Sequence, residues 1–187
     1  MIQGKTVVLA VTGGIAAYKG AQLVRDLKHA GANVFVIMTE HATEFITPLT
    51  LQTLSQNPVA IGLFDDINTW EMEHIALADS ADLLLVAPAT ADIIGKAACG
   101  IADDLVSTSI LTMIFGTPVV MAPAMNTHMW ENPIIQKHVA SLKKIGVTFV
   151  GPVEGYLADG RSGMGRMADE KDIIDAVETA LKGTGVR

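Results

Sequence analysis

Cysteine and aromatic residues are scarce in this sequence. Cys99 is the single cysteine in 187 residues, and Phe, Trp and Tyr together make up 5% of the chain. One cysteine cannot form an intramolecular disulfide, so the composition fits a reducing compartment and predicts a cytoplasmic protein. The core has to be built from Ala, Val, Ile and Leu, which favours a sheet covered by helices on both faces.

Clusters of positive charge are also missing. The chain has 13 Lys and Arg residues against 20 Asp and Glu residues, which gives a formal net charge of −7. This balance argues against nucleic acid and anionic membrane surfaces as partners. Only about six apolar residues precede Thr12, too few for a signal peptide or a membrane span. We therefore expect neither a nucleic-acid partner nor a membrane partner.

Several catalytic signatures are absent as well. No pair of histidines has metal-ligand spacing together with a carboxylate, which argues against a zinc or iron site. No Gly-x-Ser-x-Gly sequence occurs, which argues against an α/β-hydrolase. The first glycine-rich turn lacks both the Gly-Lys-Ser/Thr of a Walker loop and the Gly-x-Gly-x-x-Gly spacing of a dinucleotide fingerprint.

What the sequence does have is a regular alternation of short apolar runs and helical segments. This alternation predicts a single doubly wound α/β domain over residues 1–187 with a mainly parallel sheet. Its strand order could be Rossmann-like or flavodoxin-like. Half of the residues are hydrophobic, which is apolar for a monomer of this size and predicts a helical face buried in a homo-oligomer.

The predicted elements follow from periodicity and from breaker residues. Strands are expected at 5–11, 33–38, 59–63, 82–87, 118–122 and 147–150. Helices are expected from the first glycine turn to about 29, in short pieces over 42–55, from 74 to 78, and at 90–99, 103–114, 132–144 and 170–181. Residues 151–167 contain five glycines and one proline without a period, and we predict a long functional loop there.

The turn after the first strand is a candidate phosphate site. Gly13 and Gly14 let a ligand approach the backbone, and Ile15 begins a helix whose N–H groups are free. Thr39, at the end of the next strand, could add a hydroxyl to the same phosphate. The pattern favours a mononucleotide, although Glu40 could bind a ribose diol and leaves NAD open. An ordinary strand-to-helix turn is the alternative.

Two further strand ends could contribute. Residues 123–130 place Met125 and Asn126 after a buried strand, and one amide among apolar groups suits the orientation of a ligand. Asn126 could instead satisfy the backbone of a simple connection. Residues 87–92 place Thr90 at a strand-to-helix junction, where a capping hydroxyl is expected in any case.

His74 is the histidine best placed to act as a base, because it lies shortly before the strand that ends near Thr90. A solvated helix residue is the alternative. Of the other histidines, His29 ends the first helix, His41 and His128 fall in candidate site loops, and His138 falls on a long helix.

Taken together, these segments resemble the flavin-containing cysteine decarboxylases, most closely those that act on phosphopantothenoylcysteine. The resemblance covers nearly the whole chain. Its most specific parts are the two strand-end blocks with His74 upstream. The chain would then be a stand-alone enzyme or one domain of a bifunctional protein. The matching segments are 11–19 (VTGGIAAYK), 43–50 (TEFITPLT), 74–75 (HI), 87–92 (APATAD) and 123–126 (PAMN).

The resemblance implies FMN as the cofactor, a cysteine-containing small molecule as the substrate, and a homotrimer or a homododecamer of trimers. In this family the flavin takes electrons from the substrate thiol and so makes loss of CO2 possible. The resemblance implies a base, a carboxylate-binding amide, flavin contacts, and a clamp over about 154–167 that closes on the substrate. The resemblance assigns the base to His74 and the amide to Asn126, with Met125 beside it. It places Ala158 and Arg166 in the clamp. The flavin contacts that it implies are Gly13, Gly14, Ile15, Thr39, Phe45, Thr90, Ala91 and Asp92.

One residue departs from the family pattern. The clamp of the coenzyme A enzymes carries a cysteine that donates a proton, and this sequence has Asp159 there. An exposed aspartate is a carboxylate at neutral pH and therefore a poor donor. Completion of the reductive step is thus open. An oxidative decarboxylase of peptide C-terminal cysteines, which releases an enethiol, is the alternative. A non-catalytic FMN-binding regulatory subunit is a second alternative.

Overall fold

The computed structural model describes residues 2–62 and 80–183. Over these ranges six strands form one parallel sheet in the order β3-β2-β1-β4-β5-β6. This is the strand order of the Rossmann fold, so the predicted doubly wound α/β domain is confirmed. The strands are β1 (Thr6–Val11), β2 (Asn33–Met38), β3 (Val59–Ala60), β4 (Leu83–Ala89), β5 (Val119–Pro123) and β6 (Thr148–Phe149).

Helices cover both faces of the sheet. In β1, Val7 and Leu9 point into one core cluster and Val8 into the other, and all three are buried. Burial on both sides explains why the strand sequences show no polar alternation. The first cluster includes residues of α1 (Gly20–His29), α2 (Pro48–Ser55) and α7 (Glu170–Gly183), and the second includes residues of α3 (Ala91–Cys99), α4 (Leu105–Met113) and α6 (Pro133–Lys144).

Helix starts follow the predicted signals. Asn132 caps α6 by accepting a hydrogen bond from the N–H of Ile134 at 2.9 Å, and Pro133 occupies the first turn. Thr47 caps α2 in the same way, with Pro48 as its first residue. A single turn, α5 (Thr127–Trp130), precedes α6. Within the described ranges no helix is long and apolar enough to span a bilayer.

The structure corrects three details of the prediction. The first helix opens as a 3-10 helix, Ile15–Lys19, before α1. A second 3-10 helix covers Glu40–Glu44. β4 runs through Pro88 to Ala89 rather than ending before the proline, because Pro88 lies where the pairing with β5 is irregular and no ladder N–H is required.

The prediction of a long loop over 151–167 is wrong. Strands β7 (Val153–Tyr156) and β8 (Ser162–Arg166) pair antiparallel to form a hairpin. Its turn is closed by the N–H of Leu157, which donates to the carbonyl of Arg161 at 2.8 Å, with Gly160 at a positive φ of 80°. The glycines in these strands have no side chains, so the sequence shows no alternation of apolar and polar residues there. We call residues 153–166 the hairpin.

Two predictions fall partly or wholly outside the described residues. His74 and the helix expected from 74 to 78 lie there, and so does the end of the strand expected at 59–63.

Candidate functional site

The carboxyl ends of the parallel strands open into one large cleft of about 1270 Å³. A site for one small ligand usually has roughly 300–1,000 Å³, so this cleft has room for more than one molecule. It lies at the ends of the neighbouring strands β1 and β4, where the strand order reverses, and this switch point is where open α/β sheets bind ligands. The predicted site residues on its lining are Gly13, Gly14, Ile15, Thr39, Phe45, Thr90, Ala91, Asp92, Met125, Asn126, Ala158, Asp159 and Arg166. The structure therefore brings together every described residue of the predicted site.

Free backbone donors face the cleft at the first turn. No described residue accepts a hydrogen bond from the N–H groups of Gly14, Ile15 or Ala16. Gly13 itself has no room for a side chain, because a Cβ there would collide with His41. The turn is therefore held close to the second strand end, and its free N–H groups suit an anion such as a phosphate.

The cationic side chains on the cleft are already paired. Lys19 lies 3.2 Å from Glu170, and Arg166 donates to Asp169 at 2.7 Å. The Asp169 carboxylate raises the pKa of Arg166, and the guanidinium lowers the pKa of Asp169. Among the residues that the structure describes, the N–H groups of Gly14, Ile15 and Ala16 are therefore donors that could serve an anion at the first turn.

Lys96 sits at the centre of an acidic group that the sequence analysis did not single out. Its ammonium lies 2.9 Å from Asp103, 2.9 Å from Asp104 and 3.4 Å from Asp92. Hydrogen bonds, first to Asp104 and then to Asp103, raise the pKa of Lys96. The residue therefore stays charged, and it ties the start of α4 to α3 at the edge of the cleft.

Thr12 belongs to the candidate phosphate turn, but the sequence analysis assigned it no role of its own. Its hydroxyl is buried and donates to the carbonyl of Pro88 at 2.7 Å. It also accepts from the N–H of Thr90 at 3.3 Å and lies 3.3 Å from the Thr90 hydroxyl. Thr12 thus joins the ends of β1 and β4. Its place at the end of an apolar strand, directly before the two glycines, was the available signal.

Thr39 and Thr90 both act as helix caps. Thr39 is buried and accepts from the N–H of Ala42 at 3.3 Å, and Thr90 accepts from the N–H of Ile93 at 3.4 Å. The capping role anticipated for Thr90 is therefore present. It does not compete with a ligand role, because a hydroxyl can accept one bond and donate another.

Asn126 and Asp159 meet across the cleft. Asn126 lies after β5 and caps α5, accepting from the N–H of His128 at 2.8 Å. Its Nδ2 donates to the carboxylate of Asp159 at 2.6 Å. Asp159 lies in the turn of the hairpin, so the hairpin closes onto the loop that carries Asn126.

The cleft walls expose large apolar side chains. Ile15 is 60% exposed, Tyr18 59%, Phe45 47%, Met129 47% and Tyr156 74%. Single exposed apolar residues are common on a monomer, but several around one cleft form a patch. Such a patch marks a surface that binds an apolar ligand or another protein chain. Within the described ranges no group of three or more potential metal ligands is found.

Curated relatives match nearly the whole chain. The bifunctional coenzyme A biosynthesis protein CoaBC of Bacillus subtilis is 46% identical over 178 residues, which cover 95% of this chain and 43% of the relative. The "Probable phosphopantothenoylcysteine decarboxylase" of Streptococcus mutans is 45% identical over 177 residues, covering 95% of this chain and 99% of the relative. The chain spans less than half the length of the bifunctional relatives that it matches.

Solved structures share the fold. A PPC decarboxylase with a cysteine-to-serine substitution, complexed with pantothenoylaminoethenethiol, has a TM-score of 0.85 and 32% identity, and the match covers 95% of this chain and 98% of that one. The FMN binding protein AtHal3 has a TM-score of 0.84 and 31% identity, with 98% and 100% covered. The model of the family described as Flavoprotein matches residues 1–182. The chain belongs to the flavoprotein family.

Proposed function

We propose that this chain is an FMN-dependent decarboxylase of 4'-phosphopantothenoylcysteine, a carbon–carbon lyase of coenzyme A biosynthesis. The observation that carries the proposal is the single cleft that joins an anion-binding turn, apolar walls and the Asn126 amide. The names of the Bacillus and Streptococcus relatives support this substrate. The bifunctional relatives are more than twice as long as this chain.

FMN fits the residues that are present. Free N–H groups at Gly14 and Ile15 would hold its phosphate, with the Thr39 hydroxyl nearby. Thr90 and Ala91 begin α3 next to this turn and would contact the ring, and Phe45 offers a half-exposed aromatic face. Asp92 lies beside them on the cleft. When bound, a flavin supplies two-electron oxidation and reduction, which the protein's own side chains cannot.

The remaining predicted residues would serve the substrate. Asn126 would orient the substrate carboxylate through its Nδ2, with Met125 packed beside it. Ala158 and Arg166 would contact the substrate from the hairpin. We assign His74 the role of base that accepts the proton of the substrate thiol. All four described residues line the cleft.

We also propose a homo-oligomer built from trimers, up to a dodecamer, in the cytoplasm. The exposed Tyr18, Met129 and Tyr156 at the cleft support a contact between copies there. Light scattering after size-exclusion chromatography tests this, and a monomer at micromolar concentration contradicts it.

Oxidative decarboxylation of a cysteine-terminated peptide is the second candidate. Asp159 favours it, because it stands where the family pattern has the proton-donating cysteine of the clamp, and its two oxygens already accept hydrogen bonds from Asn126 and Arg161. The wide cleft could admit a peptide end.

The decisive experiment combines two measurements on the purified protein. Its visible spectrum and released cofactor are expected to show about one FMN per chain. Mass spectrometry after addition of 4'-phosphopantothenoylcysteine or of a cysteine-terminated peptide is expected to show loss of CO2 from the former. A colourless protein that binds NAD but not FMN, or decarboxylation of the peptide alone, contradicts the proposal.

A further inference from the structure

The amide of Asn126 already binds a carboxylate in this structure, and that carboxylate belongs to the chain itself. Asn126 Nδ2 donates to Asp159 Oδ2 at 2.6 Å, although the two residues lie 33 positions apart in sequence. Both side chains line the cleft. In this contact the amide Nδ2 donates to a carboxyl oxygen, which is the same kind of acceptor that a substrate carboxylate would present.

The backbone fixes both partners of this bond. Asn126 Oδ1 accepts from the N–H of His128, so the Nδ2 end of the amide is turned toward Asp159. The second carboxylate oxygen of Asp159 accepts from the N–H of Arg161 at 3.0 Å. Asp159 is therefore held at the amide by the turn of the hairpin rather than by a flexible side chain alone.

Glycines let the hairpin approach this closely. A Cβ at Gly165 would collide with the carbonyl of Met125, and one at Gly163 would lie 2.5 Å from the Thr127 hydroxyl. The N–H of Met125 donates to the carbonyl of Gly165 at 3.0 Å. The strand that leads back from Asp159 thus packs directly on the loop that carries Asn126.

We propose that Asp159 shifts the relative affinity of the site for carboxylate and carboxamide end groups. Its carboxylate occupies the amide donor at which a substrate carboxylate would bind, so it disfavours ligands that end in a carboxylate relative to the same ligands ending in a carboxamide. This inference rests on the proposed function, because it takes Asn126 as the residue that binds the reacting end of the substrate.

The chemistry of the two end groups explains the preference. A ligand carboxylate has to displace Asp159, which breaks a charge-assisted hydrogen bond, or lie beside a like charge. A carboxamide avoids both costs, since its oxygen can accept from Asn126 while its NH₂ donates to Asp159. Arg166 does not offset the repulsion, because it is paired with Asp169.

The expected size of the effect is modest. Asp159 is exposed, and exposed charged contacts contribute little, while hydrogen bonds to charged groups contribute more. Removal of the Asp159 charge should therefore shift the ratio of the two dissociation constants by about three- to tenfold in favour of the carboxylate.

The test measures binding, without turnover, to the flavin-loaded protein by titration calorimetry. The two probes are 4'-phosphopantothenoylserine, which has a hydroxyl in place of the thiol, and its carboxamide. The variants are Asp159→Asn and Asp159→Ala. Glu131→Gln is the matched control, because it removes one exposed negative charge near the same loop without lining the cleft.

Both Asp159 variants should shift the ratio toward the acid, and Glu131→Gln should leave it unchanged. In an Asn126→Ala background the Asp159 substitution should have a smaller effect on the ratio, because only the like-charge repulsion remains. An unchanged ratio in both Asp159 variants overturns the inference while the proposed function stands.

A second readout is independent of ligand. Asp159→Ala should speed hydrogen exchange at residues 157–161 in the ligand-free protein, because the bond that closes the hairpin is lost. Unchanged exchange overturns the inference. A third outcome is faster exchange in Asp159→Ala while neither probe binds any variant. This result overturns the proposed function, and the role of Asp159 in selecting the end group falls with it.

Discussion

The two sides of the cleft are built on different principles. On one side, the strand edge, which we define as Thr12, Gly13, Gly14, Thr39 and Thr90, sits on buried parallel strands. Its hydroxyls are tied into strand ends and helix caps. On the other side, β7 and β8 of the hairpin form a sheet of their own that joins no other described strand, and most of the hairpin residues are exposed or half-buried.

This difference matches what each side would have to do. A cofactor that stays bound through every turnover suits a preformed edge, whereas a substrate that enters and leaves needs a part that can open. Changes at the strand edge should therefore alter flavin binding and stability together. Changes in the hairpin should alter substrate handling and leave the flavin in place.

The largest effect is expected at His74, which lies outside the described residues. His74→Asn should keep the flavin and lower turnover by about 10²–10⁴-fold, the usual contribution of a general base. His29→Asn is the control, because His29 is an exposed residue of α1 away from the cleft lining. The measurement is the rate of CO2 loss in a single turnover, and a near wild-type rate in His74→Asn would contradict the role of His74 as the base.

The strand edge is tested most sharply by one glycine. Gly13→Ala forces a Cβ against His41 and should lower the free energy of unfolding by about 1–3 kcal/mol, as overpacking does. It should also reduce the FMN content of the purified protein.

Gly95→Ala is the matched control for Gly13→Ala. A Cβ at Gly95 meets nothing within 4 Å, and Gly95 lies inside α3. This substitution should therefore raise the free energy of unfolding by about 0.5–1 kcal/mol, because alanine favours a helix. Urea denaturation of both variants checks the pair, and equal shifts would contradict the account of the strand edge.

Sequence patterns were sufficient for the strand edge and insufficient for the hairpin. Apolar runs such as residues 6–11 are visible because the strands are buried on both faces. The strand order, and the bond from Thr12 to Pro88 that depends on it, arise from contacts between segments about 76 positions apart. In the hairpin, Gly155, Gly163 and Gly165 have no side chains and interrupt the alternation that indicates a strand. The sequence therefore predicted a loop where the structure has two strands.

A smaller effect is expected at Asn126. Asn126→Asp places a second carboxylate against Asp159 and against the substrate carboxylate. Since exposed and half-exposed like charges interact weakly, we expect the dissociation constant of 4'-phosphopantothenoylserine to rise by about three- to tenfold. Unfolding and flavin content should stay close to those of the unmodified protein. A parallel loss of flavin would contradict the separation of the two sides.

A smaller loss of stability is expected inside the hairpin than at the strand edge. Gly163→Ala pushes β8 away from Thr127 and should weaken binding of the serine analogue. The free energy of unfolding should fall by less than in Gly13→Ala, because the atom that the added Cβ meets is the hydroxyl of a half-buried threonine side chain, which can rotate away. Gly116→Ala, with nothing within 4 Å of the added Cβ, is the control for the substitution itself. A large loss of stability in Gly163→Ala would show that the hairpin belongs to the rigid part of the fold.

The division of the cleft is tested most directly by the products formed from 4'-phosphopantothenoylcysteine without added reductant. The strand edge would hold FMN, and the hairpin has Asp159 in place of the family's proton-donating cysteine. The unmodified protein should therefore remove CO2 from the substrate and leave its flavin reduced, which bleaches the flavin absorbance. The reaction should stop at the enethiol. Asp159→Cys should raise the yield of saturated 4'-phosphopantetheine at unchanged flavin content. Saturated product formed by the unmodified protein over many turnovers would contradict this account.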